Sequence, residues 1–270
     1  MVAFFEEVYA LADSRNVIVD LSGVKTMTPD AIPGLLATIH NCRTVGARIR
    51  GNVPTDLKAK KMLNESGFRE YVHSAPGTRR PSPMGQILKF TEGGETFYNR
   101  FDQVLANGLV EFATSKLTGI PKSHGPSFSV LGEAMLNTLN HAGKPGVSHE
   151  PWWASVYYDS DRKRACFTFL DRGVGIFESH RLTTKLRLLS GLQVLSPAQI
   201  LQRLVKGEIP STTREPGRGN GIPGMYDHCK AERIRKLTIL SNKAFGDLEA
   251  ETYVVLPKSF PGTLLYWEIL

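Results

Sequence analysis

Apolar and polar positions alternate along this chain with two periods, one helical and one of strands. Residues 2–13 mix apolar and acidic side chains at helical spacing, with Phe4, Phe5, Val8, Tyr9, Leu11 and Ala12 on the apolar side. Asn16 breaks the run. Val17-Ile-Val-Asp-Leu-Ser then reads as a buried strand, because it is β-branched and closes on Ser22-Gly23. Thr28 is placed to cap a helix that opens with Pro29 and turns Ile32, Leu35, Leu36 and Ile39 inward before Gly46. Residues 47–54 predict a second short strand. Residues 56–66 predict a helix with Leu57, Met62 and Leu63 apolar and Gly67 at its end. Strands and helices in alternation predict a small α/β unit up to about Val72.

Residues 73–95 are rich in proline, glycine and serine and poorly periodic, as in a linker. Residues 97–117 return to helical spacing through Phe101, Val104, Leu105, Leu109 and Phe112. Residues 129–142 form the most informative helix. At about 100° per residue, Leu131, Met135, Leu139 and Ala142 share one side, and Glu133, Asn137, Asn140 and His141 share the other. Short carboxamides favour caps and turns over helix interiors, so this polar row points to a site; a solvated face near a helix end is the alternative. Residues 152–158 and 165–170 predict a hairpin across a polar turn. The second strand runs into Asp171-Arg-Gly-Val-Gly-Ile176. Residues 177–204 are mostly helical and cationic. Residues 209–216 are irregular and lead to Gly217-Arg-Gly-Asn-Gly221, which opens a helix over 222–232. Three closing strands are expected over 236–241, 251–256 and 263–269.

Composition narrows the classes. The 270 residues are 41% hydrophobic and 22% charged, enough to bury a real core in one large or two ordinary domains. No run of apolar residues is long enough for a membrane span. The first residues turn acidic too soon for a secretory signal. Cys42, Cys166 and Cys229 are far apart and odd in number, which suits a reducing cytoplasm rather than a disulfide framework or a zinc site. The net charge of +7 is scattered, without an aromatic-interleaved basic stripe, so nucleic acid is not the expected partner. A basic balance also suits a polyphosphate ligand.

Two resemblances sharpen this reading. Val17-Ile-Val-Asp-Leu-Ser-Gly-Val, Met27 before a helix, Gly51-Asn-Val-Pro and Leu63-Asn-Glu-Ser-Gly-Phe68 resemble the STAS family of anti-sigma-factor antagonists. The alternative is a plain α/β packing unit. The leading strands of that fold have no counterpart, and Asp30 stands where the family carries its phospho-accepting serine. The resemblance therefore implies docking to a protein partner, or a homodimer, rather than a phosphorylation switch. Further along, a Glu-x-x-x-Asn helix, Asp171-x-Gly173-x-Gly175 after a strand, and Gly217-x-Gly219-x-Gly221 before a helix occur in the order that resembles the GHKL ATPases, the superfamily of gyrase and sensor histidine kinases. Neither a P-loop nor a Rossmann fingerprint is present.

The resemblances imply a two-domain α/β chain: a STAS-like unit over 1–75, a linker over 76–95, and a GHKL (Bergerat) sandwich with a mixed sheet and an ATP lid over 96–270. The cofactors implied are ATP, or its product ADP, and Mg²⁺. Asp171 would accept from the adenine amino group, with Gly173, Gly175 and Ile176 lining the purine and the glycines letting backbone approach it. Asn137 would ligate Mg²⁺. Glu133 would orient or deprotonate an attacking water. Gly217, Arg218, Gly219, Asn220 and Gly221 would wrap the phosphates. Residues 177–216 would form the lid, and Thr263, after Gly262, would bond Asp171 or a water beside adenine. Asn140 and His141 either join the phosphate side or close the helix as a polar cluster. Lys144 reads as a loop charge, and Arg172 as pointing to solvent. The function implied is a cytoplasmic ATP hydrolase or a serine-kinase-like phosphotransferase of the anti-sigma type; the alternative is a nucleotide-gated interaction module with little turnover. The helix over 97–117 carries no histidine, so self-phosphorylation as in sensor kinases is not expected.

Overall fold

The computed structural model describes residues 4, 7–8, 16–73, 84–89, 103–141, 152–179, 195–209 and 221–270. Its first unit is a parallel pair, β1 (Asn16–Val19) and β2 (Arg48–Gly51), registered Val17 to Ile49 and joined through helix α1 (Ala31–Thr44). A parallel pair needs such a crossover. α1 buries Ile32, Leu35, Leu36 and Ile39 as its spacing predicts, and Gly46 after it takes a φ of 81°. It starts later than expected. The Ala31 and Ile32 amides bond back to the carbonyls of Thr28 and Pro29 in a turn, and Asp30, at the N-cap, makes no side-chain cap bond. Pro33 explains the shift. Had the helix opened at Pro29, Pro33 would fall in its second turn, where a missing N–H breaks a bond; from Ala31 it lies in the first turn, where none is needed.

Helix α2 (Leu57–Glu65) is capped by Asp56, whose carboxylate accepts from the Lys58 and Ala59 amides at 2.9 and 3.0 Å. Helix α3 (Phe68–His73) follows after Gly67. Of residues 2–13, Phe4, Glu7 and Val8 are described; they are helical, and Val8 is buried in the core of this unit.

Strand β3 (Gly85–Lys89) falls inside the stretch read as a linker. Its two central apolar residues, Ile87 and Leu88, are too few to show a period between proline- and glycine-rich flanks. Helices α4 (Gln103–Thr118) and α5 (Gly125–His141) come next. The predicted hairpin follows as β4 (Trp152–Asp159) and β5 (Arg164–Asp171). Then come α6 (Ile176–Ser179), α7 (Pro197–Val205) and α8 (Ile222–Lys230), and last β6 (Arg235–Asp247) and β7 (Thr252–Ile269). Where three closing strands were expected there are two, because 251–256 and 263–269 join into β7.

The larger sheet runs β3-β4-β5-β7-β6, and all four neighbouring pairs are antiparallel rather than mixed. β5 and β6 do run the same way, but β7 lies between them. Side chains alternate between its faces along each strand, except where register slips interrupt β6. Trp152, Ala154, Phe167, Phe169, Leu265 and Trp267 join the core with α4, α5, α7 and α8. Trp153, Leu170, Leu240, Phe260 and Leu264 face the other way, into one apolar cluster with Val17, Leu35, Ile39 and Phe68 of the first unit. His40 meets Trp153 edge to face at 5.5 Å between ring centroids. The sheet is therefore covered on both sides: four helices on one, the βαβ unit on the other.

Candidate functional site

Asp171 ends β5, and its parity puts it on the helix-covered face with Phe167 and Phe169. In register, Asp171 pairs with Thr263 of β7, and Thr263 pairs with Ser241 of β6. Three polar side chains thus stand in a row across three strands that are otherwise apolar on that face. Asp171 is 7% exposed and Ser241 is fully buried. Burying a carboxylate is unfavourable unless donors meet it. One oxygen of Asp171 accepts from the Gly173 amide at 2.8 Å.

The Gly-rich turn after Asp171 is locked by β6. Ser241 Oγ accepts from the Ile176 amide at 3.0 Å and donates to the Gly262 carbonyl at 2.9 Å. It also lies 3.3 Å from Thr263 Oγ1. Asn242 donates from Nδ2 to the Val174 carbonyl at 3.0 Å, and its Oδ1 faces the Phe177 amide at 3.4 Å. Asn242 adopts a φ of 48° where the β6–β7 register slips on both sides of it. Such a bulge re-aims a side chain, here onto the turn.

Two glycines of this region answer to the protein's own atoms. Gly175, with a φ of 82°, leaves room for the Asn242 carboxamide, whose Cγ would lie 2.7 Å from a β-carbon placed there. Gly262, with a φ of 100°, lies against the backbone of Asp171 and Arg172.

Ser241 and Asn242 were not among the expected site residues. The polar pair closing the apolar run Leu237-Thr-Ile-Leu240 was the available signal.

Arg172 does not point to solvent. It is 8% exposed and lies just past the end of β5, close to the first unit. There its positive charge acts on Cys42 of α1. Burial pushes the Cys42 thiol up from its ordinary range, and Arg172 pulls it partly back.

Glu133 and Asn137 lie half-buried on α5, one turn apart as their spacing requires. α5 packs against β5 and against α8. The neighbouring turns of α5 are anchored by Val130, Leu131, Ala134 and Met135 in the core. Asn140 and His141 occupy the last turn of α5; their side chains lie outside the described residues. So do Gly217, Arg218, Gly219 and Asn220. Gly221 is the N-cap of α8 with a φ of 58°, so the helix opens where the glycine motif ends. Much of the expected lid is also outside the description. Its part over 195–209 contains α7, which is opened by a Ser196–Gln199 capping box and buries Ile200, Leu201, Leu204 and Val205 in the core.

Asp171, Gly173, Gly175, Ile176 and Thr263 are therefore brought together, on the face that also carries the helix of Glu133 and Asn137. A buried carboxylate beside main-chain amides suits a ligand presenting an amino donor at its edge. For a metal, no cluster of three or more His, Cys, Asp or Glu occurs among the described residues. A magnesium ion that takes its remaining ligands from phosphate and water needs no such cluster. No helix among the described residues is long and apolar enough to cross a membrane. No protein-family model matches the chain. No curated protein matches it either.

Proposed function

We propose that this chain is an ATP-binding regulatory protein with a GHKL-type nucleotide domain behind a STAS-like unit. It acts as a Mg²⁺-dependent ATPase or as a protein kinase of the anti-sigma type in the cytoplasm. The observation carrying the reading is the buried Asp171 at the end of β5, in register with Thr263 and followed by the turn that Ser241 and Asn242 hold. On this reading Asp171 accepts from the adenine amino group and Thr263 supports it. Asn137 supplies a neutral oxygen to Mg²⁺, and Glu133 orients the attacking water or hydroxyl. Gly217, Gly219 and Gly221 cradle phosphates at the N-terminus of α8, where main-chain amides and the helix dipole favour anions. The STAS-like unit docks a protein partner or a second copy of the chain.

A second reading, a nucleotide-gated interaction module with little turnover, is favoured by Arg172. It adjoins Asp171 in sequence and carries its charge close to Cys42 in the first unit, which is the route by which this reading lets the site influence that unit. Titration with MgATP, followed by phosphate release on the same sample, separates the two. Asp171→Asn can still accept from Gly173 and should keep the fold, but should lose ATP. Glu133→Ala should keep ATP binding and lose turnover. Failure of the wild type to bind ATP would remove both readings; stoichiometric binding without phosphate release, or transfer to a partner, would leave the second.

A further inference from the structure

A second concave site lies in the first unit, away from Asp171. A cleft of about 530 Å³ opens between α1, β2 and α3. That volume is typical of small-molecule sites, which run from roughly 300 to 1,000 Å³. Its floor is apolar: Val19, Leu35, Ile39, Leu63 and Phe68 line it. Arg43, Arg50 and Arg69 also line it, one from each of three different elements, and His73 joins them at the end of α3. All three arginines are exposed, and none makes an ion pair among the described residues. Asn52 is already committed. It donates to Asp20 at 2.6 Å and accepts from the Leu21 amide at 2.6 Å, which fixes the loop after β2 and takes up the Asp20 carboxylate.

We propose that this cleft binds an amphipathic anion: an acyl or aromatic body on the apolar floor, with one carboxylate or phosphate head held by the guanidiniums. Each half of the argument needs the other. The concavity alone would take any apolar body. Three exposed cations alone would be a solvated face. Together they match a ligand with one apolar and one anionic end, and planar guanidiniums pair such heads through two parallel hydrogen bonds. A nucleic-acid backbone fits less well, because the cations surround a hollow rather than forming a stripe. Helix α1 connects the cleft to the sheet. Ile39 lines the cleft, and the next residue, His40, meets Trp153 of β4.

The test is calorimetric titration of the full chain with decanoate and with decyl phosphate, with decanol and inorganic phosphate as the two halves of the ligand. Saturable binding of at least one anionic probe is expected, with decanol and free phosphate each roughly tenfold weaker or more, the scale of one charge-assisted contact. Decanoate against decyl phosphate identifies the head. The combined Arg43→Ala, Arg50→Ala and Arg69→Ala variant should lose roughly tenfold or more for the anionic probe and keep its affinity for decanol. All three positions are exposed, so the variant should unfold at the wild-type temperature. Val53→Trp, within the cleft lining, should block both probes. Decanol binding as tightly as the anions, an unchanged affinity in the arginine variant, no saturable binding, or arginine-dependent binding of duplex DNA alone would overturn the proposal.

Discussion

Gly262 lies flat on the backbone of Asp171. A β-carbon at position 262 would overlap the Asp171 carbonyl oxygen and stand 2.9 Å from its carbonyl carbon and 3.0 Å from Arg172 Cα. The residue that ends β5 is therefore held from β7 by main chain against main chain. Gly262→Ala combines that overlap with a φ of 100°, and should cost about 2 kcal/mol or more. The urea midpoint should fall at constant slope. A midpoint equal to the wild type's would contradict the close approach.

Asn242 is the second clamp on the same turn. Its carboxamide donates to Val174 and faces the Phe177 amide, while its backbone holds a left-handed φ. Asn242→Gly removes the carboxamide and tolerates the φ, so its effect isolates the side chain. A loss of about 1–2 kcal/mol is expected, with faster hydrogen exchange at Phe177. Exchange at Ile176 should change less, since its amide is held by Ser241. Uniform protection across 174–177 in the variant would refute the clamp.

His124 governs the entry to α5. Its Nδ1 accepts from the Ser127 amide at 3.2 Å and lies 3.0 Å from Ser127 Oγ, which in turn accepts from Trp267 Nε1 at 3.1 Å. Accepting requires an unprotonated Nδ1. Burial lowers the pKa of His124 below its ordinary 6.5, and the charge of nearby His228 lowers it further, while the Arg233 backbone opposes both. A lowered folded value means that stability is fully present above pH 6.5 and is lost as pH falls through the folded value. His228 is also lowered, by burial first and by Arg233, so it adds the same sign. Thermal unfolding between pH 8 and 5 should show the loss, and His124→Asn, which keeps an acceptor without titrating, should reduce the slope by up to about 1.4 kcal/mol per pH unit. Parallel curves for the two proteins would rule this out.

Arg164 and Glu268 join β5 to β7 across the face toward the first unit. Arg164 Nη1 lies 2.6 and 2.7 Å from the two carboxylate oxygens, and the Glu268 side chain is 4% exposed. The Tyr266 hydroxyl donates to the same carboxylate. Arg164→Met strands that charge and should cost about 3–5 kcal/mol. Adding Glu268→Gln should recover much of it, and the non-additivity in a double-mutant cycle measures the coupling. Strict additivity would show that the pair does not act as one.

Period and punctuation in the sequence located most helices and the hairpin, because α1, α4, α5 and β4–β5 are long enough to repeat their pattern. β3 was missed because a five-residue edge strand between proline-rich flanks shows no repeat. Pro33 moved the start of α1, a constraint that looking for a cap at Thr28 overlooks. At the site, Asp171, Gly173, Gly175 and Thr263 were legible as spaced motifs. Ser241 and Asn242 were not. They lie 65 residues from the amides they hold, and the strand order β5-β7-β6 with a bulge brings them there. Arg172 was misread because the group it lies near, Cys42 of α1, comes from a distant stretch of the chain.

The doubly covered sheet has a consequence for inheritance. Trp153, Leu170, Leu240, Phe260 and Leu264 are buried in one cluster with Leu35, Ile39 and Phe68 from a separate stretch of chain. A larger side chain accepted on one side of this seam must be answered by a smaller one on the other. The two parts are thus bound to change together over generations, and exchanging either for a distant counterpart would break a fit that neither part records by itself.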